Sequence, residues 1–228
     1  MNTLSVIIPF FNEERYIEES INRVLAVDIF DQIILSDDCS TDLSSVIAKK
    51  YSDNNGKIAY IRSKRNQGKG AALSNARKHI TSTHVIIHDA DLEYFPDDIV
   101  TMFKLVDENP MSLILGSRFI GNFERSGEYR RTLIANKAMS LFFSLVNQLK
   151  VTDVATCYKL MPSKFFKNLN LQEEGFSIEI EMISKFLKFN KSIIEVPIKY
   201  TGRTYQQGKK IKTLDGFLYL ISTLKYRF

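Results

Sequence analysis

The densest chemistry in this chain is a run of alternating acids, His88-Asp89-Ala90-Asp91-Leu92-Glu93. If a strand ends here, Asp89 and Asp91 project to one side of the chain and converge on one divalent cation. Glu93, a further two-residue step along, is the candidate third ligand. Hard carboxylate oxygens suit Mg²⁺ or Mn²⁺, which keep part of their water and share the site with substrate phosphates. The same carboxylates also suit capping of a turn or of the next helix, so spacing alone leaves both roles open.

Three other segments carry polar groups in dense supply. Ser36-Asp37-Asp38-Cys39-Ser40-Thr41-Asp42 offers carboxylates that can accept hydrogen bonds from the edge of a nucleobase or cap the helix that follows. Capping suits Asp42 or Thr41; Asp38 stands apart because Asp37 already supplies a local acceptor. Arg65-Asn66-Gln67-Gly68-Lys69-Gly70 sets Lys69 and two glycines at a helix start, where backbone N–H groups and the positive helix end can meet a phosphate. It has neither the P-loop spacing nor the dinucleotide fingerprint. Arg118, Arg130, Arg131, Arg203, Lys209 and Lys210 form a basic series later in the chain. Arginines among them can grip phosphate oxygens with two donors each, whereas most lysines in any chain are simply solvated. His84 and His88 have metal-ligand spacing only on a helix; on a strand they stand about 13 Å apart. Zinc is therefore set aside, and Cys39 and Cys157 are read as packing residues.

The elements that must position these groups alternate. Strands are expected over 4–9, 32–36, 58–62 and 84–88, with helices over 13–26, 44–51, 70–80 and 97–109. The first strand is a continuous apolar run, as in strands buried on both faces. Four strand–helix repeats imply a parallel sheet with right-handed crossovers and an α/β fold. In such sheets ligands sit beyond the C-terminal strand ends, where all four polar segments fall. Further on, the pattern gives a strand over 112–115 and a polar loop over 121–129. Apolar-rich helices follow over 131–149 and 178–189, then an edge strand over 193–200 containing Pro197. A basic loop over 202–212 leads to a last helix over 215–228. One domain over 1–212 is expected, built from a front half (1–110) and a back half (111–212), with an amphipathic extension (213–228).

Composition sets the outer bounds. The chain has 228 residues, 44% hydrophobic and 25% charged, ordinary for a globular protein and unlike disordered or collagenous chains. No apolar run reaches the length of a membrane span, and the first residues lack the basic region of a signal peptide. Two cysteines outside any motif fit a reducing cytoplasm. The net charge of +5 hides an asymmetry. Residues 1–110 hold 12 Lys+Arg and 17 Asp+Glu (−5), and residues 111–228 hold 19 and 9 (+10). An acidic front half and a basic back half suit cation binding followed by anion binding, or simply an uneven surface.

Taken in order, SVIIPFFNEE, DDCSTD, NQGKGAAL, HDADLE and GSRF resemble the family 2 glycosyltransferases with the GT-A fold. The likeness runs on through TDVATCYKLM, EVPIKY and GRTYQQGKKI, and so covers nearly the whole chain. Within the family it is similar to the polyprenyl-phosphate sugar synthases, dolichol-phosphate mannose synthase and the bactoprenol glucosyltransferases among them. The resemblance implies that Pro9, Phe11, Glu13, Ser36 and Asp38 hold the nucleoside. Asp89, Asp91 and Glu93 would hold the metal, with Ala90 between them and Lys69 and Lys209 near the donor diphosphate. Arg118, Arg131 and Arg203 would grip the acceptor phosphate, and Asp91, Arg131 and Arg203 would carry catalysis. Cys39 stands where glycine is common, Glu93 where glutamine is common, and ATCYKL replaces an SGFR-like stretch near the acceptor.

The implied reaction is metal-dependent sugar transfer from a UDP- or GDP-sugar to polyprenyl phosphate, with inversion at the anomeric carbon. Metal and cations would stabilise the leaving diphosphate. A phosphate acceptor is already anionic near neutral pH, its second pKa being about 6, and needs no strong base. A sugar-hydroxyl acceptor, the alternative, needs one, and Asp153 is the candidate, though a structural cap fits it equally. Lipid substrates call for a peripheral place on the inner face of the membrane, with the helices over 131–149 and 209–228 in the interface. Core packing or a homo-oligomer contact is the other use of those helices. Two further classes weigh less. A nucleic-acid-binding module lacks aromatic residues interleaved with its basic clusters, and a catalytically dead sensor would not need both the metal and the acceptor groups.

Overall fold

The computed structural model describes residues 1–122, 125–127, 130–203 and 213–228. Its sheet grows from β1 (Leu4–Phe10), all seven residues of which are buried, as the unbroken apolar run requires. Helix α1 (Ile17–Leu25) lays Ile17, Ile21 and Val24 on the core and leads to β2 (Gln32–Asp37), parallel to β1. Helix α2 (Ser44–Asn54) connects to β3 (Ile58–Arg62), outside β2, and α3 (Lys69–Ala76) brings the chain back to β4 (His84–Ile87) on the other side of β1.

After α4 (Asp97–Lys104) and β5 (Leu113–Ser117), the short β6 (Arg125–Ser126) precedes α5 (Arg130–Asn147). Strand β7 (Lys159–Pro162) then inserts between β4 and β5, antiparallel to both. Helices α6 (Ser163–Asn168) and α7 (Ile178–Phe189) lead to β8 (Ile193–Pro197), β9 (Tyr200–Thr201) and α8 (Thr213–Arg227). The seven-stranded order is β3-β2-β1-β4-β7-β5-β8, with β7 alone reversed, and β6 pairs with β9 apart from it. The strand order turns back between β1 and β4, which opens a ligand crevice beyond their C-terminal ends.

The sequence pattern missed β7, whose first residue is the fully buried Lys159; a charge at the head of a short apolar run hides a strand from any hydrophobic reading. The edge strand expected over 193–200 breaks in two. β8 ends at Pro197, and Asp98 accepts a hydrogen bond from the Lys199 N–H at 2.7 Å, which turns the chain toward β9. The first helix starts four residues late, because residues 13–16 form a turn closed on the Glu13 carbonyl.

The Gly68-Lys69-Gly70 corner is shaped by a close crossing of chain. Gly70 N–H donates to the Glu174 carbonyl at 2.6 Å, and a Cβ on Gly70 would lie 1.9 Å from the Glu173 carbonyl oxygen. Gly68 has φ +102°, a conformation that glycine adopts without strain. These glycines let the start of α3 press against the segment before α7, and so build one wall of the crevice.

Candidate active site

A cavity of about 280 Å³ lies in that crevice. Pro9, Phe10 and Phe11 reach it from the end of β1, with Glu13 in the turn that follows. The β1 and β2 loops are tied together: Asn12 N–H donates to Ser40 Oγ (3.0 Å), and Asn12 Oδ1 accepts from Thr41 N–H (2.8 Å). Asp37, fully buried, accepts from Ser40 N–H, Ser45 Oγ and Tyr60 OH at 2.7–2.8 Å, so it holds the loop together. Asp42 accepts from the first N–H of α2, the capping role anticipated for it. Asp38 lines the cavity and accepts from Gly68 N–H (2.5 Å) and Gln67 N–H (3.0 Å). Burial pushes its carboxyl up, against those two bonds. Ser36 lies beneath the cavity, donating to the Ala72 carbonyl at 2.8 Å.

The acidic run leaves β4 before its carboxylates begin. β4 ends at Ile87, and Asp89 to Glu93 follow in a turn where Leu92 has φ +63°. A bulky side chain in the left-handed region is strained, which is typical where surroundings over-determine a functional turn. The strand alternation expected to aim Asp89, Asp91 and Glu93 one way is therefore not what aims them. Each has its own partner. Lys69 Nζ sits 2.6 Å from Asp89, and Arg203 Nη2 sits 3.0 Å from Asp91. Glu93 accepts from Tyr200 OH (2.6 Å) and Arg203 N–H (2.7 Å), which ties down the strap carrying β9. Arg203 also bridges to Glu13 (3.2 Å) and lies over the Tyr16 ring.

Asp89 and Asp91 respond oppositely to this setting. Burial works against both charges. The Lys69 ammonium outweighs it at Asp89 and holds that carboxyl below its usual range. At Asp91 burial, then Glu93 and Asp89, push the pKa up to about 7 despite Arg203. Among the described residues, six carboxylates line the cavity (Glu13, Asp38, Asp89, Asp91, Glu93, Glu179) against three cationic side chains (Lys69, Arg118, Arg203). A divalent cation fits such a surplus of hard oxygen donors. No cluster of three His, Cys, Asp or Glu residues stands ready as a metal site among the described residues, which accords with Lys69 and Arg203 holding the two aspartates.

Arg118 lines the cavity with its guanidinium over the Tyr200 ring. Its Nε and Nη2 donate to Asp153 at 2.7 and 2.8 Å, and its own N–H to the same carboxylate at 3.0 Å. Asp153 is fully buried behind it and does not line the cavity. Arg131 is exposed on the first turn of α5, also away from the lining. Lys209 and Lys210 lie outside the described residues. His84 and His88 serve different neighbours, the Pro110 carbonyl and Tyr158 OH. Sequence reasoning missed Tyr94, Phe176, Tyr219 and Glu179 in the lining. For Glu179 a signal existed, an acid set among apolar residues in a helix whose neighbours are all buried.

The family model for Glycosyl transferase family 2 matches residues 5–169. The chain belongs to this family. It is a glycosyltransferase, and the sheet and crevice described above are its GT-A fold. An uncharacterized protein of Methanocaldococcus jannaschii is 26% identical over 224 residues, 96% of this chain and 90% of that protein. The dolichol-phosphate mannosyltransferase of Pyrococcus furiosus is 26% identical over 94% of this chain, which spans 61% of that longer protein. The UDP-N-acetylglucosamine–dolichyl-phosphate N-acetylglucosaminyltransferase of Methanococcus voltae is 25% identical over 93% of this chain and 91% of its own length. Among solved structures, glucosyl-3-phosphoglycerate synthase from Mycobacterium tuberculosis with Mn²⁺, UDP-glucose and phosphoglyceric acid superposes with a TM-score of 0.75. It is 18% identical, covering 99% of this chain and 80% of that one. The glycosyltransferase fold thus extends over the whole described chain, beyond the matched segment.

Proposed function

We propose that this glycosyltransferase moves a sugar from a UDP- or GDP-sugar to a polyprenyl phosphate, with Mg²⁺ or Mn²⁺ and with inversion, on the cytoplasmic face of a membrane. The observation that carries the reading is the crevice between β1 and β4, where among the described residues six carboxylates face three cations and Asp91 is pushed up to about 7. A divalent cation relieves that surplus and gives the donor diphosphate a positive group to bind. Asp89 and Asp91 would hold the cation, which when bound stabilises charge on the leaving diphosphate. Pro9, Phe11, Glu13 and Asp38 would hold the nucleoside, and Lys69 and Lys209 would face the diphosphate. Arg118 and Arg203 would orient the acceptor phosphate in the cavity, and Arg131, exposed on the first turn of α5, would meet it from outside the lining. An acceptor oxygen attacks the anomeric carbon as the bond from that carbon to the donor phosphate oxygen breaks, and the electron pair leaves on the nucleoside diphosphate.

The alternative acceptor, a sugar hydroxyl, needs a base. Asp153 has its carboxylate engaged by Arg118 and buried away from the cavity, which favours the phosphate acceptor. The test is to incubate the full chain with Mn²⁺ or Mg²⁺, a short polyprenyl phosphate and labelled UDP- and GDP-sugars. Label should move to the organic phase with one donor and stay behind when EDTA is added. Metal-dependent nucleotide binding without transfer would sink the lipid acceptor and keep the donor.

The membrane part of this reading rests on α5 and α8, which pack side by side. Their solvent-facing stripes are apolar: Ile134, Ala138, Leu141 and Leu145 on α5, and Phe217, Ile221 and Leu224 on α8. Leu145 is 69% exposed and Phe217 60%, while Asn136, Ser140, Ser222 and Thr223 are buried on the inner sides. Exposed Arg131, Lys137, Lys225 and Arg227 accompany the stripes, with no acidic side chain among the described ones of either helix. A second copy would set like charges against each other, whereas an anionic bilayer meets both features. No described helix is long and apolar enough to cross a membrane. Leu141→Glu with Ile221→Glu is expected to cut flotation with phosphatidylglycerol vesicles at least tenfold. Transfer to a short, water-soluble acceptor should be unchanged. Equal flotation of variant and parent would remove this surface from the membrane contact.

A further inference from the structure

Lys159 is 0% exposed at the start of β7, with its ammonium bound to Glu179 and to the Thr156 carbonyl. Glu179, in the first turn of α7, turns its other oxygen to Lys69 Nζ at 2.7 Å, and Lys69 reaches Asp89 at 2.6 Å. Four alternating charges thus run from the centre of the sheet to the cavity, drawn from β7, α7, α3 and the turn after β4. Burying such a chain is costly, and apolar side chains of like volume would fold as well or better. The fold alone gives no reason for it; what it does is place an ammonium between two carboxylates, one of them in the metal-binding run.

We infer that Glu179, backed by Lys159, is a positioning residue that gives Lys69 a second seat, so that Asp89 can release its lysine and accept the divalent cation of the donor complex. The inference rests on the metal-dependent donor reading above. With Asp89 as its only partner, Lys69 would have to be stranded in a nearly buried wall, 10% exposed, before a cation could enter. The Lys69 ammonium sits between the two carboxylates, 2.6 Å from Asp89 and 2.7 Å from Glu179, and so competes with any cation for Asp89. Glu179 removes that competition by holding the lysine in place. Lys159 in turn keeps the second Glu179 oxygen compensated where water cannot reach it.

The test uses Mn²⁺ binding by the full chain in the presence of UDP or GDP, read by electron paramagnetic resonance, with thermal melting alongside. The double variant Glu179→Gln with Lys159→Met leaves the total charge unchanged and no buried charge unpaired. It is expected to bind Mn²⁺ at least tenfold more weakly than the parent, with its melting temperature largely kept. Lys159→Met alone keeps the seat for Lys69, so it should bind Mn²⁺ as tightly as the parent or tighter. If the double variant does not fold, Glu179→Asp carries the test: it keeps every charge but draws the carboxylate one methylene back from Lys69, and should also weaken Mn²⁺ binding. Parent-like affinity in the double variant, or a tenfold loss in Lys159→Met, would overturn the inference. If the parent retains no Mn²⁺ with either nucleotide, the donor reading fails, and this inference with it.

Discussion

Asp91→Asn should lower sugar transfer by about a thousandfold while leaving the fold intact. The expectation follows from where the charge of the reaction develops. Breaking the sugar–diphosphate bond puts negative charge on the leaving group, and losing one well-placed electrostatic stabiliser commonly costs 10²–10³ in rate. In the proposed function Asp91 would be a main carboxylate for the cation that faces that charge. Initial rates with saturating donor and cation measure the effect, and circular dichroism checks the fold. A loss below tenfold would remove Asp91 from the metal site.

The same carboxyl gives a pH signature. With its pKa near 7 in the metal-free chain, Asp91 is half protonated at neutral pH. Cation affinity should fall about tenfold per unit of pH below 7 and level off above it. Stability of the metal-free chain has the opposite slope. The folded pKa exceeds the unfolded value of 3.8, so the folded state holds the extra proton. Stability from this group is therefore full below about pH 4, is lost as pH rises toward 7, and is constant beyond. Asp91→Asn should abolish that part of the pH dependence, which comparing melting curves of the two proteins at pH 5 and pH 8 would show.

The first half of the fold was legible because each of its elements announces itself locally. β1 is a seven-residue buried run, α1 shows its core face at helical spacing, and the polar strand ends follow without interruption. Lys159 was illegible for the converse reason. Its charge is compensated by Glu179, twenty residues away and in another element, so nothing near it in sequence explains a lysine in a strand. The acids after β4 were recognised by type and spacing, but their aim depends on a left-handed Leu92 and on cations from α3 and the β9 strap. Arg203 meets Asp91 across 112 residues, a contact no pattern encodes. Helices α5 and α8 show a subtler limit. Their apolar content reads as core, yet only part of it, such as Phe143 and Tyr219, is buried. Which side of a helix faces inward is settled by its neighbours when both sides are apolar enough.

Asp153→Asn is expected to be the most destabilising change among the candidate site residues. Asp153 is fully buried and takes three hydrogen bonds from Arg118, two from the guanidinium and one from the backbone. An asparagine keeps one oxygen and turns an NH₂ toward a guanidinium that can only donate. Removing one partner of a buried pair costs about 3–5 kcal/mol, chiefly because the other charge is left uncompensated. For a domain of this size each kcal/mol moves the melting temperature by about 2–4 °C, so a fall of roughly 6–20 °C should be seen. Adding Arg118→Met removes the stranded charge and should restore most of the melting temperature. It should not restore transfer, because Arg118 lines the cavity and its loss should raise the KM for the acceptor phosphate. The contrast separates the two acceptor classes. A base for a sugar hydroxyl would lose kcat on Asp153→Asn with melting unchanged, and that outcome would return Asp153 to catalysis and the acceptor to a hydroxyl. A counterion that holds an arginine against a phosphate loses stability first, and its activity falls because Arg118 is no longer held in place.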